Sequence, residues 1–366
     1  MSHSRRKFLR NISMGIGSAL IGPDIATLAA CNNKKDGQKL GIALVGLGGY
    51  ATYQLAPALQ ETKNCYLAGI VTGTPAKEKI WADRYSIPAK NIYNYQTFDN
   101  IAGNPDIDIV YIVLPPGLHK EYTIRGAEAG KHVICEKPMA IGAADCQLMI
   151  DACKKKNRML SIGYRLHFEP YNMEMMRLGQ KKIFGAIKKI ESANSFTFGN
   201  DNTSWRVKKS LAGGGPMMDM GVYVIQGARY TTGEEPVYVS ARQEKTRPDF
   251  FTEVEETCIF EMEFPSGAKA FGRSSYNENS NSLHVEAEKG WFELSEAYRY
   301  GGMVGATSRG KMNFPNINQQ AAQMDDFANC ILTGKPTRVP GEMGMQDMRI
   351  VDAIYRSLES GKKEKV

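Results

Sequence analysis

Leu40-Gly41-Ile42-Ala43-Leu44-Val45-Gly46-Leu47-Gly48-Gly49-Tyr50-Ala51 is the stretch whose reading decides the fold. Leu40 to Val45 is a continuous apolar run, the signature of a strand buried on both faces. The next six residues spell G-x-G-x-x-A, and a helical pattern then runs through Leu59. Between a strand and a helix, such glycines let the backbone turn and approach a pyrophosphate, which lies at the helix amino terminus. A dinucleotide held by Gly46, Leu47, Gly48 and Tyr50 is the expectation.

Downstream, Tyr66 to Val71 reads as a second strand ending in Thr72-Gly73-Thr74-Pro75-Ala76-Lys77-Glu78-Lys79. Sites for NAD place an Asp or Glu at this strand end to bind the ribose 2′-hydroxyl. Here Thr72, Gly73, Thr74 and two lysines beginning with Lys77 stand instead. That set suits a 2′-phosphate and predicts NADP rather than NAD; a solvated helix start is the bland alternative. A helix over 77–85, a strand over 107–114, an exit loop Pro115-Pro116-Gly117-Leu118-His119 and a helix over 120–129 follow, with Leu114, Pro115 and His119 placed near the cofactor.

The run Lys131-His132-Val133-Ile134-Cys135-Glu136-Lys137-Pro138-Met139-Ala140 reads as a buried strand that delivers Glu136, Lys137 and a proline at its carboxyl end. Ligands of an open α/β sheet sit at that end, and the Lys137-Pro138 bond is a candidate cis bond in a tight turn. With a helix over 143–155 and a strand over 159–163, the alternation predicts a Rossmann doubly wound parallel sheet over residues 40–162. Beyond Tyr164 a helix over 171–180 gives way to alternating strands at 187–198, 237–244, 255–264, 268–275, 283–288 and 290–294. Helices over 319–332 and 344–360 end the chain. Residues 163–366 are therefore expected to form a C-terminal α+β domain with a large, mostly antiparallel open sheet that binds substrate and carries oligomerisation.

The chain has 366 residues and a net charge of +7. Residues 1–31 hold Arg5, Arg6, Lys7 and Arg10 against Asp24, so +3 of that charge lies there and +4 remains. No basic run interleaved with aromatics occurs, which argues against nucleic acid as a partner. Ser4-Arg5-Arg6-Lys7-Phe8-Leu9 before a broken apolar run reads as a twin-arginine signal, the route that exports folded proteins. Its end, Leu28-Ala29-Ala30-Cys31, resembles the lipobox of bacterial lipoproteins. The expectation is a periplasmic or exported protein, either anchored by a lipid at Cys31 or cleaved plainly after Ala30, with 32–39 as a linker. The other six cysteines read as buried free thiols, and no His/Cys cluster has metal spacing.

The chain resembles the glucose-fructose oxidoreductase and inositol dehydrogenase family from about Leu40 to its end. The likeness rests on the glycine fingerprint and Cys135-Glu136-Lys137-Pro138-Met139-Ala140, on Gly163-Tyr164-Arg165 and Trp205-Arg206, and on Gly213-Gly214-Gly215-Pro216-Met217-Met218-Asp219-Met220-Gly221-Val222-Tyr223. It continues through Gly227-Ala228-Arg229-Tyr230 and Gly233-Glu234-Glu235-Pro236 to Pro340-Gly341-Glu342-Met343-Gly344-Met345-Gln346-Asp347. It implies that Lys137, Asp219 and Tyr223 meet over a nicotinamide, with Glu136, Arg165, Trp205 and Arg206 near the cofactor. Within the family, Tyr rather than His at position 223 is similar to the glucose-fructose and aldose-aldose oxidoreductase branch. Two departures stand out: Pro116 where many relatives carry Asn, and a short arm between Cys31 and Leu40.

The chemistry suits these residue types. Oxidising a sugar hydroxyl by hydride transfer also removes its proton, and a free tyrosine, with a pKa of about 10, is mostly protonated at neutral pH. A neighbouring ammonium, Lys137, favours the phenolate. The i, i+4 spacing puts Asp219 and Tyr223 on one helix face. His167 and Tyr298 are expected to border the sugar. The resulting expectation is an enzyme that keeps a tightly bound NADP, oxidises an aldose to its lactone and reduces a second sugar, as a homodimer or homotetramer. A simple sugar or polyol dehydrogenase, an NAD-dependent glycosidase of the same fold and a non-catalytic sugar binder are the alternatives.

Overall fold

The computed structural model describes residues 39–366. The signal, the lipobox and nearly all of the linker expected at 32–39 lie outside them. Leu40–Val45 (β1) is buried along its whole length, as a strand covered by helices on both sides must be. It pairs in parallel with Cys65–Val71 (β2) and with Ile109–Ile112 (β4). With Ile92–Tyr93 (β3), His132–Cys135 (β5) and Leu160–Ile162 (β6) the order is β3-β2-β1-β4-β5-β6. That is the dinucleotide-binding order, and its direction reverses beside β1, where the crevice opens.

The expected exit loop after β4 is a helix start. Pro116 occupies the first position of the helix Pro116–Glu128, with Pro115 as its cap. Proline lacks an N–H that would be unsatisfied there anyway, and its φ is already helical. His119 is consequently a buried helix residue rather than a loop residue.

The second sheet has nine strands, Ile187–Ser195 (β7), Tyr238–Glu244 (β8), Thr257–Glu263 (β9), Lys269–Ser275 (β10), Ser280–Ala287 (β11), Gly290–Ser295 (β12), Val304–Thr307 (β13), Gly310–Lys311 (β14) and Glu364–Lys365 (β15). Its order is β14-β13-β12-β11-β7-β10-β9-β8-β15. The neighbouring strands run antiparallel except β7 and β10, which are parallel. The inner face carries Ile190, Ala270, Phe260, Met262, Leu283 and Val285, all buried. The outer face pairs Lys269 with Glu261, Lys363 with Glu263 and Arg273 with Glu278. The sheet thus has one apolar and one polar face, as the alternation along its strands requires.

The helix Gln319–Thr333 returns to the first sheet, where Ala321, Met324, Phe327 and Ala328 share a core with Leu40, Leu44 and Ile70. Its apolar stripe at helical spacing needs a surface to cover, and the first sheet supplies it. Cys65, Cys135, Cys146, Cys153, Cys258 and Cys330 are buried free thiols.

Candidate functional site

A cavity of about 1060 Å³ runs from the glycine loop after β1 to the inner face of the second sheet. That exceeds a pocket for one small ligand, about 300–1,000 Å³, and leaves room for a dinucleotide beside a second molecule. Gly46, Leu47, Gly48, Tyr50, Thr72, Gly73, Lys77, Leu114 and Pro115, the residues expected at the cofactor, line one end. Gly46 makes the turn at φ +97°, where a Cβ would stand 2.6 Å from the Val113 carbonyl oxygen. A Cβ at Gly48 would meet nothing within 4 Å, so that surface is open to a ligand.

Among the described residues no acid ends β2. Thr72 and Thr74 line the cavity there, and Lys77 Nζ donates to the Leu47 carbonyl at 2.8 Å, which holds its charge beside the glycine loop. Lys79 pairs instead with Asp83 on an exposed helix face and does not reach the cavity. A bare-backbone loop, a helix start and a lysine fit a pyrophosphate-bearing dinucleotide.

Lys137-Pro138 is a cis bond. Lys137 Nζ donates to the Asp219 backbone carbonyl at 2.7 Å and stands 4.0 Å from Oδ1 of Asp219. The same ammonium lies 4.4 Å from the centre of the Tyr223 ring. It therefore sits on the ring face, an attractive cation–π position, and not on the phenol oxygen. The cation at that oxygen is Arg165, whose Nη2 donates to the Tyr223 hydroxyl at 3.3 Å. Arg165 is only 2% exposed and is fixed by the Tyr298 carbonyl at 2.5 Å, the Arg299 carbonyl at 2.8 Å and Gln319 Oε1. Gly163-Tyr164-Arg165 marks this residue in the sequence, but its three anchors come from 133 to 154 residues away, which no local pattern reveals.

Asp219 stands in a π-helical turn, Met217–Gly221, at the start of the helix Val222–Thr232 that carries Tyr223. Its Oδ2 accepts from Arg206 Nε at 2.7 Å and from the Tyr276 hydroxyl at 3.1 Å. Burial works against its ionisation, but the charges of Arg206 and Lys137 and these hydrogen bonds outweigh burial and hold the carboxyl below its usual range. Arg206, expected near the cofactor, thus clamps Asp219 while stacking on Trp205 at 4.5 Å. Both line the cavity.

Glu136 behaves in the opposite way. It accepts from the Tyr111 hydroxyl at 2.6 Å and from the backbone N–H of Lys137 at 3.2 Å. Burial, the largest influence, raises its carboxyl above the usual range. Gly163 makes room for it, since a Cβ there would lie 2.5 Å from Glu136 Oε1. No ion pair joins Glu136 to the Lys137 ammonium among the described residues, although that charge opposes burial in pulling the carboxyl down.

Two histidines stand away from the cavity. His119 bridges the Leu114 carbonyl at 2.7 Å and the Pro138 carbonyl at 2.9 Å, tying together two loops that line the cavity. His167, expected at the sugar, is buried against Tyr230 and bonded to Gln226 Oε1 at 2.8 Å; burial pushes it down to about 4. Tyr298 lines the cavity with its ring 5.8 Å from that of Tyr223.

Comparison with known proteins agrees with this architecture. Residues 40–164 match the oxidoreductase family with an NAD-binding Rossmann fold, and residues 173–293 match the GFO/IDH/MocA C-terminal domain. The crystal structure of aldose-aldose oxidoreductase from Caulobacter crescentus, complexed with glycerol, is similar at 44% identity and a TM-score of 0.87, covering 90% of this chain and 100% of that one. D-xylose 1-dehydrogenase [NADP(+)] of Haloarcula marismortui is 26% identical over 335 residues, 87% of this chain and 91% of the relative. A levoglucosan dehydrogenase in complex with NADH and levoglucosan shares the fold at 22% identity and a TM-score of 0.78, covering 90% of this chain and 100% of that one. The chain belongs to the GFO/IDH/MocA family of NAD(P)-dependent oxidoreductases.

Proposed function

We propose that this protein is an NADP-dependent aldose oxidoreductase that oxidises one sugar to its lactone and returns the hydride to a second sugar on the same bound cofactor. The carrying observation is the placement of the Tyr223 hydroxyl beside Arg165, with Lys137 on the ring face, in a cavity continuous with the glycine loop. The likeness to aldose-aldose oxidoreductase and to NADP-dependent D-xylose 1-dehydrogenases supports the sugar reading. The acid-free end of β2, with Thr72, Thr74 and Lys77, supports NADP.

A nicotinamide cofactor held by the glycine loop, Thr72 and Lys77 would supply the hydride acceptor for the first sugar and the hydride donor for the second. The hydroxyl proton passes to the Tyr223 oxygen as the carbonyl forms. Arg165, at 3.3 Å, stabilises the negative charge on that oxygen, and Lys137 on the ring face adds a second cation. Asp219 keeps Lys137 and Arg206 in place rather than serving as the base, because its carboxylate is already engaged by cations. In the reverse half-reaction Tyr223 returns the proton to the carbonyl oxygen of the acceptor.

Folded export through the twin-arginine signal at Arg5-Arg6 would let the enzyme carry its cofactor out of the cytoplasm, with a lipid anchor at Cys31 and a dimeric or tetrameric assembly as further parts of the reading. The test is mass spectrometry of the nucleotide released on denaturing protein purified without added cofactor. NADP is the expected result; NAD, or no nucleotide at all, contradicts it.

A further inference from the structure

The inner face of the second sheet holds an unexplained polar group. Asn194, on β7, is 1% exposed, and neither Oδ1 nor Nδ2 of its amide has a hydrogen-bond partner. Burying a primary amide with no partner gives up its hydrogen bonds to water with nothing in return. Strand interiors elsewhere on this face meet that demand with apolar side chains such as Ile190 and Leu283. An amide retained at such a position is explained by something that binds it.

Asn194 borders the cavity, as does Asn281, which stands directly opposite it on antiparallel β11. Opposed residues of an antiparallel pair share a face, so the two amides lie side by side. Asn281 spends Oδ1 on the backbone N–H of Tyr298 at 2.8 Å, which leaves its N–H groups to donate. That bond also anchors the segment that carries Tyr298 toward Tyr223, their rings 5.8 Å apart. Phe196, immediately after the end of β7, adds an aromatic surface to the same cavity.

We propose that Asn194, together with Asn281, is the hydroxyl-recognition element of this site, specific for the vicinal diol of a polyhydroxylated substrate away from the carbon that is oxidised. The inference rests on the sugar oxidoreductase reading above and adds the residues that select the sugar. An amide offers one acceptor and two donors, and a diol offers both in return. A substrate lacking one of those hydroxyls leaves the amide unpaired and is rejected.

The test uses NADP-loaded protein with D-xylose, D-glucose and their monodeoxy analogues. In the wild type, one or two of the monodeoxy sugars are expected to show KM values roughly 10- to 100-fold above the parent sugar. Asn194→Leu, of similar volume, is expected to raise KM for the parent sugars by the same factor and to erase the penalty for those analogues. NADP affinity and kcat should stay within about threefold, since an interaction made equally in ground and transition states moves KM alone. The sugar-free variant is expected to melt at the same or a higher temperature, because an unpaired buried amide has gone.

Unchanged KM and unchanged discrimination in Asn194→Leu overturn the proposal. So does a lowered melting temperature together with weaker NADP binding, which marks a structural amide. Asn194→Ser, smaller and still polar, separates lost hydrogen bonding from added bulk; it must show the raised KM as well. A wild type that binds NADP but oxidises none of the sugars overturns the functional reading itself, whereas an active wild type with an indifferent Asn194→Leu removes only this inference.

Discussion

Glu136, buried, and Asp219, partly buried, are two carboxylates on opposite walls of one cavity, and their surroundings drive them apart. On the first wall, Glu136 is bonded only to a phenol and a backbone N–H, and burial prevails over these bonds and over the more distant charges of Lys137 and Arg165. On the second, Asp219 is met by Arg206, Lys137 and Tyr276, and the cations prevail over burial. Pairs of titratable groups pushed in opposite directions mark a division of labour. On the proposed function, the first wall would shape the cofactor site and the second would gather the charge that proton transfer needs.

The sharpest way to break this contrast is at Tyr223, where both walls converge. Tyr223→Phe removes the hydroxyl and keeps the ring against Lys137; kcat is expected to fall by about 10²–10⁴, with NADP still bound. Full activity in steady-state sugar oxidation would remove Tyr223 from the chemistry. Next in size, Lys137→Met deletes the ammonium that joins the walls, and a loss of about 10²–10³ in kcat is expected. An unchanged rate and pH profile would leave that ammonium without a role.

The carboxylates test the contrast directly. Asp219→Asn leaves Arg206 and Lys137 without their anion and should destabilise by about 3 kcal/mol. Glu136→Gln, which keeps shape and hydrogen bonding, should change stability by less than about 1 kcal/mol at neutral pH. Their pH effects have opposite signs. The folded state holds the Asp219 proton less tightly than the unfolded chain, so its contribution is present above the unfolded value near 3.9 and is lost as pH falls through the lower folded value. The folded state holds the Glu136 proton more tightly, so stability falls as pH rises from about 4.3 through the raised folded value. Denaturant titrations across this range should show each variant losing its own limb. Equal losses at both positions would erase the distinction.

The smallest effect concerns the cofactor end. Gly48→Ala adds a methyl to open space and should leave the melting temperature unchanged while weakening NADP binding roughly tenfold through lost close approach. Measured by nucleotide titration, unchanged affinity would place the pyrophosphate elsewhere.

Much of the first wall was legible in the sequence because strand ends in a parallel sheet are set by local pattern. An apolar run, a glycine turn and a helix sit within a dozen residues from Leu40 to Ala51. The second wall was legible only where Gly213 to Tyr223 and Gly163-Tyr164-Arg165 stand out. Arg165 was placed with the cofactor because its contact with Tyr223 spans 58 residues. His167 looked like a sugar ligand beside it, yet its ring turns into the core toward Gln226. Asn194 lies inside a strand whose alternation predicts an inward residue but cannot say that the inward surface there borders a cavity rather than core. The exit loop misread at Pro116 has a simpler cause: paired prolines mark turns and helix starts alike.

The central claim is that one bound cofactor passes a hydride between two sugars at Tyr223. Its most direct test is a single-turnover cycle in which protein loaded with oxidised NADP is mixed with an aldose, and a second sugar is added after the first phase. The account predicts a rise in the reduced-nicotinamide absorbance that reverses on the second addition, with lactone formed in equal amount to the cofactor. No rise, or a rise that no second sugar reverses, would contradict it.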